Sequence, residues 1–188
     1  MMLVALLLGA FAWTFLEYVI HRWMGHDRRF HRTPFGREHI RHHIQGDYFA
    51  PTSKKLAAAV LAAAVLIGPA IQVAGLVWGG AYVAGLISCY GLYELLHRRE
   101  HTHPGRGWYG RWARRHHFHH HFVDGRSNHG VTTPLWDLVF GTYRRPSTIK
   151  VPPQLAMKWL LDPATGEIRP EHRATYTLRG PAPRAELG

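Results

Sequence analysis

Charged and polar residues occur in long blocks along this chain and are missing from two long stretches. Residues 1–16 carry no charged side chain, and neither do residues 56–93, where Gln72 is the only strongly polar side chain. One crossing of a membrane by an α-helix takes about 20 apolar residues. The run from Leu56 to Tyr93 is 38 residues long and therefore predicts two crossings, while the first twenty residues predict a third.

Two of the predicted helices are joined by a short turn, and each apolar run has an alternative interpretation. The turn is predicted at residues 75–80, and Pro69 predicts a kink before it, which membrane helices tolerate. A soluble protein could bury such a hairpin, but soluble helices rarely stay apolar on every face for this length. The first run could be a cleaved signal peptide, but it has neither a basic start nor a small-residue cleavage site.

The positions of the basic residues predict the topology. All 23 Lys and Arg lie outside residues 1–20 and 56–97. Three crossings would place residues 21–55 and 98–188 on one side, which the positive-inside rule makes cytoplasmic. All 16 histidines fall there too. We therefore expect an all-α, multi-pass integral-membrane protein with about three transmembrane helices and a cytoplasmic helical cap carrying a histidine-rich site.

Length and composition add a domain division and exclude several classes of protein. The 188 residues suffice for one domain, which we place at residues 1–145. Residues 146–188 form a Pro-rich tail, predicted as a loosely ordered cap over 147–175 and as disordered over the last dozen residues. The net charge of +11 suggests an anionic partner. Because the topology already explains the basic residues, we expect a membrane and no nucleic acid. The single cysteine, Cys89, excludes an intrachain disulfide.

The histidines form four clusters with helical spacing. Residues three or four apart share a helix face, so the triplets within 39–43 and 117–121 and the pair within 97–101 each project together. His21 and His26 are five apart, about 140° on an ideal helix, but Gly25 would allow the helix to end and the second ring to turn back. Three helix faces and one helix end can thus converge on one point. The ten candidate metal ligands are His21, His26, His39, His42, His43, His97, His101, His117, His120 and His121.

Ten imidazoles exceed the needs of one metal ion and suit two ions with about five ligands each. Imidazole binds iron, zinc, copper and nickel, so the ligands do not select the metal. Glu17 and Glu94, the acidic residues at the ends of the spans, are expected as outer partners of the ligands. Six histidines fall outside the four patterns and are predicted to lie mostly on loop surfaces, although two of them, His103 and His129, could line the site. The other four are His31, His116, His119 and His172.

The order H-x4-H, H-x2-H-H, H-x3-H, H-x2-H-H and its flanks resemble the fatty acid hydroxylase superfamily of membrane proteins, which includes sterol desaturases and C-4 methyl sterol oxidases. The matching flanks are residues 17–21, 92–97, 130–137 and 139–142. The resemblance covers about residues 13–145 and is closest to fatty acid 2-hydroxylases. It implies metal ligation by the ten histidines, with two iron ions, and dioxygen as co-substrate for hydroxylating a lipid. Zinc also binds imidazole well and is expected as a possible substitute.

The resemblance also carries expectations about partners and two departures from the family pattern. Because no fused haem domain is recognised, we expect electrons from a separate donor of haem cytochrome or ferredoxin type. Three spans are evident where many relatives have four, and His129 stands where the family implies an aromatic residue.

Three other functions stay open on the sequence alone. Desaturation of a lipid or sterol would use the same chemistry. A non-redox membrane protein that binds or transports metal would be expected to place ionisable residues at mid-span, and none is found there. A zinc hydrolase would use one open zinc ion with three ligands and a general base, which does not require ten histidines.

Overall fold

The computed structural model describes residues 2–180 and is mostly helical. The main elements are α1 (Met2–Val19), a π-helical turn (Ile20–Gly25), α2 (Pro34–Gln45), α3 (Thr52–Thr102), α4 (Gly107–Phe122), α5 (Leu135–Val139), β1 (Ile149–Val151) and β2 (Tyr176–Leu178). Short 3-10 helices lie at Arg28–Phe30, Pro153–Leu155 and Pro170–His172. The last dozen residues were predicted to be disordered, and most of them, residues 181–188, lie outside the described residues.

The helix α3 is bent sharply at Gly75 into two antiparallel arms. Gly75 adopts φ 79° and ψ 166°, a backbone conformation that favours glycine. Close to the bend, a Cβ atom on Gly79 would lie 2.4 Å from the carbonyl oxygen of Ala70, so the arms touch through backbone. At the other end, the Tyr90 hydroxyl donates to the carbonyl of Lys55 at 3.3 Å. The predicted turn is therefore confirmed at its first residue.

The helix α1 packs against the second arm of α3 through glycine on both sides. A Cβ atom on Gly9 would lie 1.9 Å from the carbonyl oxygen of Tyr82, and one on Gly85 would lie 2.0 Å from that of Leu6. Small residues let helix backbones approach this closely, as they do between membrane helices. This contact fixes the end of α1 beside the end of α3.

The apolar surface of the long helices points outward. Residues Met2–Gly25 and Thr52–Thr102 form two helices long and apolar enough to cross a membrane, and none of the most apolar window of the second is buried. Val73, for example, is 89% exposed. A hairpin in the core of a soluble protein would bury these side chains, so the exposed apolar faces favour lipid as their surroundings. The structure thus has two candidate membrane-spanning helices, the second folded back at Gly75.

The chain after α5 forms a compact unit on α4. Strands β1 and β2 pair in parallel, with Ile149 opposite Tyr176. These two side chains are buried with Leu160 against Phe118 of α4. The packing differs from the loosely ordered cap predicted for 147–175, because apolar residues between the prolines supply a core. The two strands also correct the all-α prediction to a mostly helical fold.

Candidate metal centre

The structure brings all ten candidate ligands together where the long helices end. They form two groups of five, and within each group one ring nitrogen of every histidine lies within 4.8 Å of the others. Group one consists of His21, His26, His39, His43 and His120. Group two consists of His42, His97, His101, His117 and His121.

Two helices contribute to both groups. The helix α2 places His39 and His43 in group one and His42 in group two. The helix α4 does the reverse, with two histidines in group two and only His120 in group one. The rings of His43 and His121, which belong to different groups, stack with centroids 4.1 Å apart. The two groups therefore adjoin and form one centre.

A π-helical turn brings His21 and His26 into one group. Hydrogen bonds in a π-helix join residues five apart, so His21 and His26 come to nearly the same side, with ring centroids 5.2 Å apart. The turn ends at Gly25, as predicted, but its wider winding was not predicted. A Cβ atom on Gly25 would lie 2.8 Å from the Cδ2 atom of His39, so only a glycine leaves that ring in place.

Backbone carbonyls set the tautomers of three candidate ligands. The Nδ1 atom of His21 lies 2.5 Å from the carbonyl oxygen of His129, and that of His120 lies 2.8 Å from the carbonyl oxygen of Ser127. The Nδ1 atom of His42 bonds similarly to Tyr48 at 2.7 Å. Because a carbonyl only accepts, Nδ1 donates, and the neutral ring carries its lone pair on Nε2.

The donor set fits metal ions. Within residues 2–180, the buried Nε2 atoms of His21 and His120 have no hydrogen-bond partner. In group two, the Nε2 atoms of His42 and His97 are 3.0 Å apart. Buried ring nitrogens gathered in one place, two of them without a hydrogen-bond partner, are what a bound cation would satisfy. Two ions with five imidazoles each would satisfy these atoms.

Burial keeps the candidate ligands neutral. It lowers the pKa of His26 to about 4, with the neighbouring His129 adding to the effect. Burial likewise lowers the pKa of His42 to about 4, with the Lys55 ammonium contributing. It also lowers the pKa of His120 well below its usual range. A metal ligand must be the neutral imidazole, so these rings are ready to bind at neutral pH.

The two predicted outer carboxylates lie near the centre but form no hydrogen bond or ion pair with a histidine ring among residues 2–180. Glu17 is buried and accepts hydrogen bonds from the backbone N–H groups of Val131, at 2.5 Å, and Thr132, at 2.9 Å. It thereby anchors the loop whose His129 carbonyl orients His21. Glu94 instead forms an ion pair with Lys55 across the two arms of α3.

Two other carboxylates are closer to the rings and were not predicted. Asp137 is fully buried, accepts from the N–H groups of His129 and Gly130 at 2.8 Å, and contacts Nε2 of His116 at 3.2 Å. Glu100 is buried with a carboxylate oxygen 3.9 Å from Nδ1 of His117. The only feature of the sequence that pointed to Asp137 was its position within segment 130–137, which resembles the family. No feature that we used pointed to Glu100.

Several histidines outside the four clusters are buried, and their predicted surface location was wrong. His116 is 0% exposed and His119 is 7% exposed. His129 is also buried, and its ring centroid lies 5.1 Å from that of His120, so it lines group one. His103, the other histidine expected to line the site, is exposed and contacts Thr102.

An apolar cavity of about 520 Å³ leads from the long helices to both groups. Its walls come from α1, α2 and both arms of α3, and it reaches His21 and His39 of group one and His42 and His97 of group two. Most other lining side chains are apolar, among them Trp13, Ala62 and Leu86. The cavity suits a hydrocarbon chain running toward the histidines.

Comparison with known proteins gives a consistent set of similarities. The family model described as fatty acid hydroxylase matches residues 6–142. The fatty acid 2-hydroxylase of Mus musculus is 32% identical over 153 residues, covering 72% of this chain and 38% of that protein. A dihydroceramide fatty acyl 2-hydroxylase of Arabidopsis thaliana is 30% identical over 148 residues, covering 72% of this chain and 58% of that protein. The chain thus spans between about two fifths and three fifths of these relatives' lengths.

A solved structure is similar as well. Full-length scs7p, in which only the hydroxylase domain is visible, superposes with a TM-score of 0.58 at 25% identity. The superposition covers 78% of this chain and 59% of that one.

Proposed function

Since this chain belongs to the fatty acid hydroxylase family, we propose that it is a membrane-bound hydroxylase that uses two iron ions and dioxygen to insert a hydroxyl group into the acyl chain of a lipid. The observation that carries the proposal is the pair of five-histidine groups at the end of an apolar cavity. The curated relatives named above are hydroxylases of fatty acyl groups, which supports the same reaction type here.

The histidines would hold the ions, and the chain would hold the histidines. When bound, iron would supply the redox chemistry with dioxygen that an unactivated C–H bond requires. In the overall reaction one oxygen atom enters the C–H bond, the other leaves as water, and two electrons and two protons are consumed. The carbonyls of His129, Tyr48 and Ser127 keep three Nε2 lone pairs available. Zinc would bind the same imidazoles without redox chemistry and is expected only as a substitute.

The site is proposed to face the cytoplasm below three membrane crossings. The helix α1 and the two arms of α3 supply the crossings, and the bend at Gly75 lies on the opposite side. All Lys and Arg residues lie outside residues 1–20 and 56–97, which supports this orientation. A lipid chain would then reach the histidines from the bilayer through the cavity, without passing through water.

Electrons are proposed to come from a separate protein. The segment that carries three group-one histidines also carries a cluster of exposed arginines, which would attract an acidic donor. These are Arg28, Arg29, Arg32, Arg37 and Arg41. A haem cytochrome or ferredoxin type of donor fits such a surface.

The proposal is tested with purified protein in lipid, a reductase system and isotopically heavy dioxygen. Mass spectrometry should find one heavy oxygen atom in the hydroxylated acyl product, and elemental analysis should find close to two iron ions per chain. A double bond without heavy oxygen would instead establish a desaturase. Well-folded protein that holds metal but consumes no dioxygen with any acyl lipid would establish a non-redox metal-binding protein.

A further inference from the structure

Two ion pairs interrupt the apolar wall of the cavity, and the more buried of them lies beside the metal centre. The other pair joins Lys54 to Glu38, and its Lys54 side chain is 65% exposed. Lys55, near the start of the first arm of α3, bonds to Glu94 on the second arm, and both side chains line the cavity. They are only 19% and 23% exposed. Glu94 lies three residues before His97 of group two, so the pair is one helical turn from a candidate ligand.

The ammonium of Lys55 is separated from group two by a single aromatic ring. Its Nζ atom lies 5.6 Å from the centroid of Phe49. The Phe49 ring in turn lies 5.2 Å from that of His42 and 5.7 Å from that of His97. A substrate group bound at Lys55 would therefore place the next few carbon atoms beside group two.

The ion pair has hydrogen-bonding capacity left for a ligand. An ammonium has three N–H donors, and among residues 2–180 Lys55 donates one of them, to Glu94. The Glu94 carboxylate keeps lone pairs for a donor such as an amide N–H. Burying charges in an apolar wall is costly, and this pair lies at the two ends of the uncharged run, beside the candidate ligands.

We propose that the Lys55–Glu94 pair holds the carbonyl end of the acyl substrate and so directs hydroxylation to a carbon close to that carbonyl. This inference rests on the proposed function. Lys55 donates to the carbonyl oxygen, while the hydrocarbon tail extends along the apolar wall toward Ala62 and Leu86. The carbonyl can belong to an amide-linked acyl group or to a free acid; Glu94 would accept from an amide N–H but would repel a free carboxylate.

A structural role is the competing interpretation, because the pair also joins the two arms of α3. That role makes different predictions. The arms already touch through the backbone of Ala70 and Gly79, and a tie that only stabilises them would not influence which carbon is oxidised. The position of the hydroxyl group in the product therefore distinguishes the two roles.

The experiment compares Lys55→Met, Lys55→Arg and Glu94→Gln with the wild type and with Lys150→Met. Lys150 is exposed on β1 and provides the same chemical change away from the cavity. Each protein is given an N-acyl amide and a free fatty acid of equal chain length, and metal content, kcat/KM and the hydroxyl position are measured. Loss of a charge-assisted hydrogen bond should lower kcat/KM of Lys55→Met about tenfold or more and spread the hydroxyl over several carbons.

The other variants sharpen the outcome. Lys55→Arg should keep the wild-type hydroxyl position, and Lys150→Met should match the wild type throughout. Glu94→Gln should weaken the use of the amide relative to the free acid. If Lys55→Met kept both the wild-type hydroxyl position and the wild-type kcat/KM, the inference would be overturned. Loss of metal from that variant would also overturn it, because Lys55 would then be needed for assembly of the metal centre. A wild type that holds metal but consumes no dioxygen with these or any other acyl lipids would refute the proposed function itself.

Discussion

Replacing Gly25 with alanine should remove one metal ion and leave the other. Gly25 ends the π-helical turn, and its backbone does not require glycine for its dihedral angles, since it is absent from the positions with positive φ. The added Cβ atom would lie 2.8 Å from Cδ2 and 2.9 Å from Nε2 of His39. His39 belongs to group one alone, so the steric conflict falls on one half of the centre.

The size of the effect follows from these distances. Ordinary carbon contacts begin near 3.4 Å, so the His39 ring must retreat by about 0.6 Å, whereas metal–ligand distances tolerate about 0.2 Å. A ligand displaced by about three times that tolerance is effectively lost. Losing only a hydrogen-bond partner of a ligand typically costs about 10- to 100-fold in metal affinity. Losing a ligand should cost at least as much, so iron content should fall from near two toward one per chain.

The measurement is iron per chain by elemental analysis, together with turnover and thermal unfolding. Gly91→Ala is the matched control, because a Cβ atom at Gly91 meets nothing within 4 Å and alanine favours the helix. We expect the control to keep both ions and full turnover, while Gly25→Ala loses turnover. A Gly25→Ala protein with two ions and normal turnover would refute the assignment of His39 as a ligand.

Three further outcomes test the centre, its protonation and its topology. His120→Ala should abolish turnover and lower metal content, whereas His119→Ala should keep most activity; equal losses of bound metal would contradict the ligand assignment in α4. In metal-free protein, burial lowers the pKa of His42 to about 4 from its ordinary 6.5. Between these two pH values the unfolded chain binds one proton more than the folded protein, so the stability present above pH 6.5 should fall as the pH drops toward 4. Melting temperatures that stay constant over this range would contradict this prediction. Accessibility tags near Asp47 and after β2 should report one side of the membrane and a tag at Gly80 the other; tags at Asp47 and after β2 on opposite sides would refute the topology.

The sequence predicted the parts of the fold that depend on runs and spacings. The absence of charge over residues 56–93 predicted the hairpin, and the glycine-containing segment 75–80 located its turn, which the structure places at Gly75. Helical spacing predicted that the histidines within 39–43, 97–101 and 117–121 project together. The structure brings them together with His21 and His26, but it divides each triplet between the two groups. These features are local, so the pattern along the chain was sufficient.

The features that were missed depend on contacts between distant residues. Glu17 accepts hydrogen bonds from a loop 114 and 115 residues away, and no local spacing reports such a partner. The burial of His116 follows from Asp137, 21 residues later, in a segment without regular periodicity. The C-terminal unit was judged by its prolines, although Ile149, Leu160 and other apolar residues between them form its core.

The division of each H-x2-H-H triplet between two metal groups follows from helix geometry. Successive residues of an α-helix lie about 100° apart around its axis. Relative to His39, His43 therefore lies about 40° to one side and His42 about 60° to the other. The two rings closest in angle, His39 and His43, go to group one, and His42 goes to group two. In α4 the pair four apart again stays together, and His120 crosses to group one. A triplet of this spacing spans too wide an arc around its helix for all three rings to face one ion. The triplets of α2 and α4 therefore divide between two adjoining groups. His21 and His26 complete group one, and His97 and His101 complete group two.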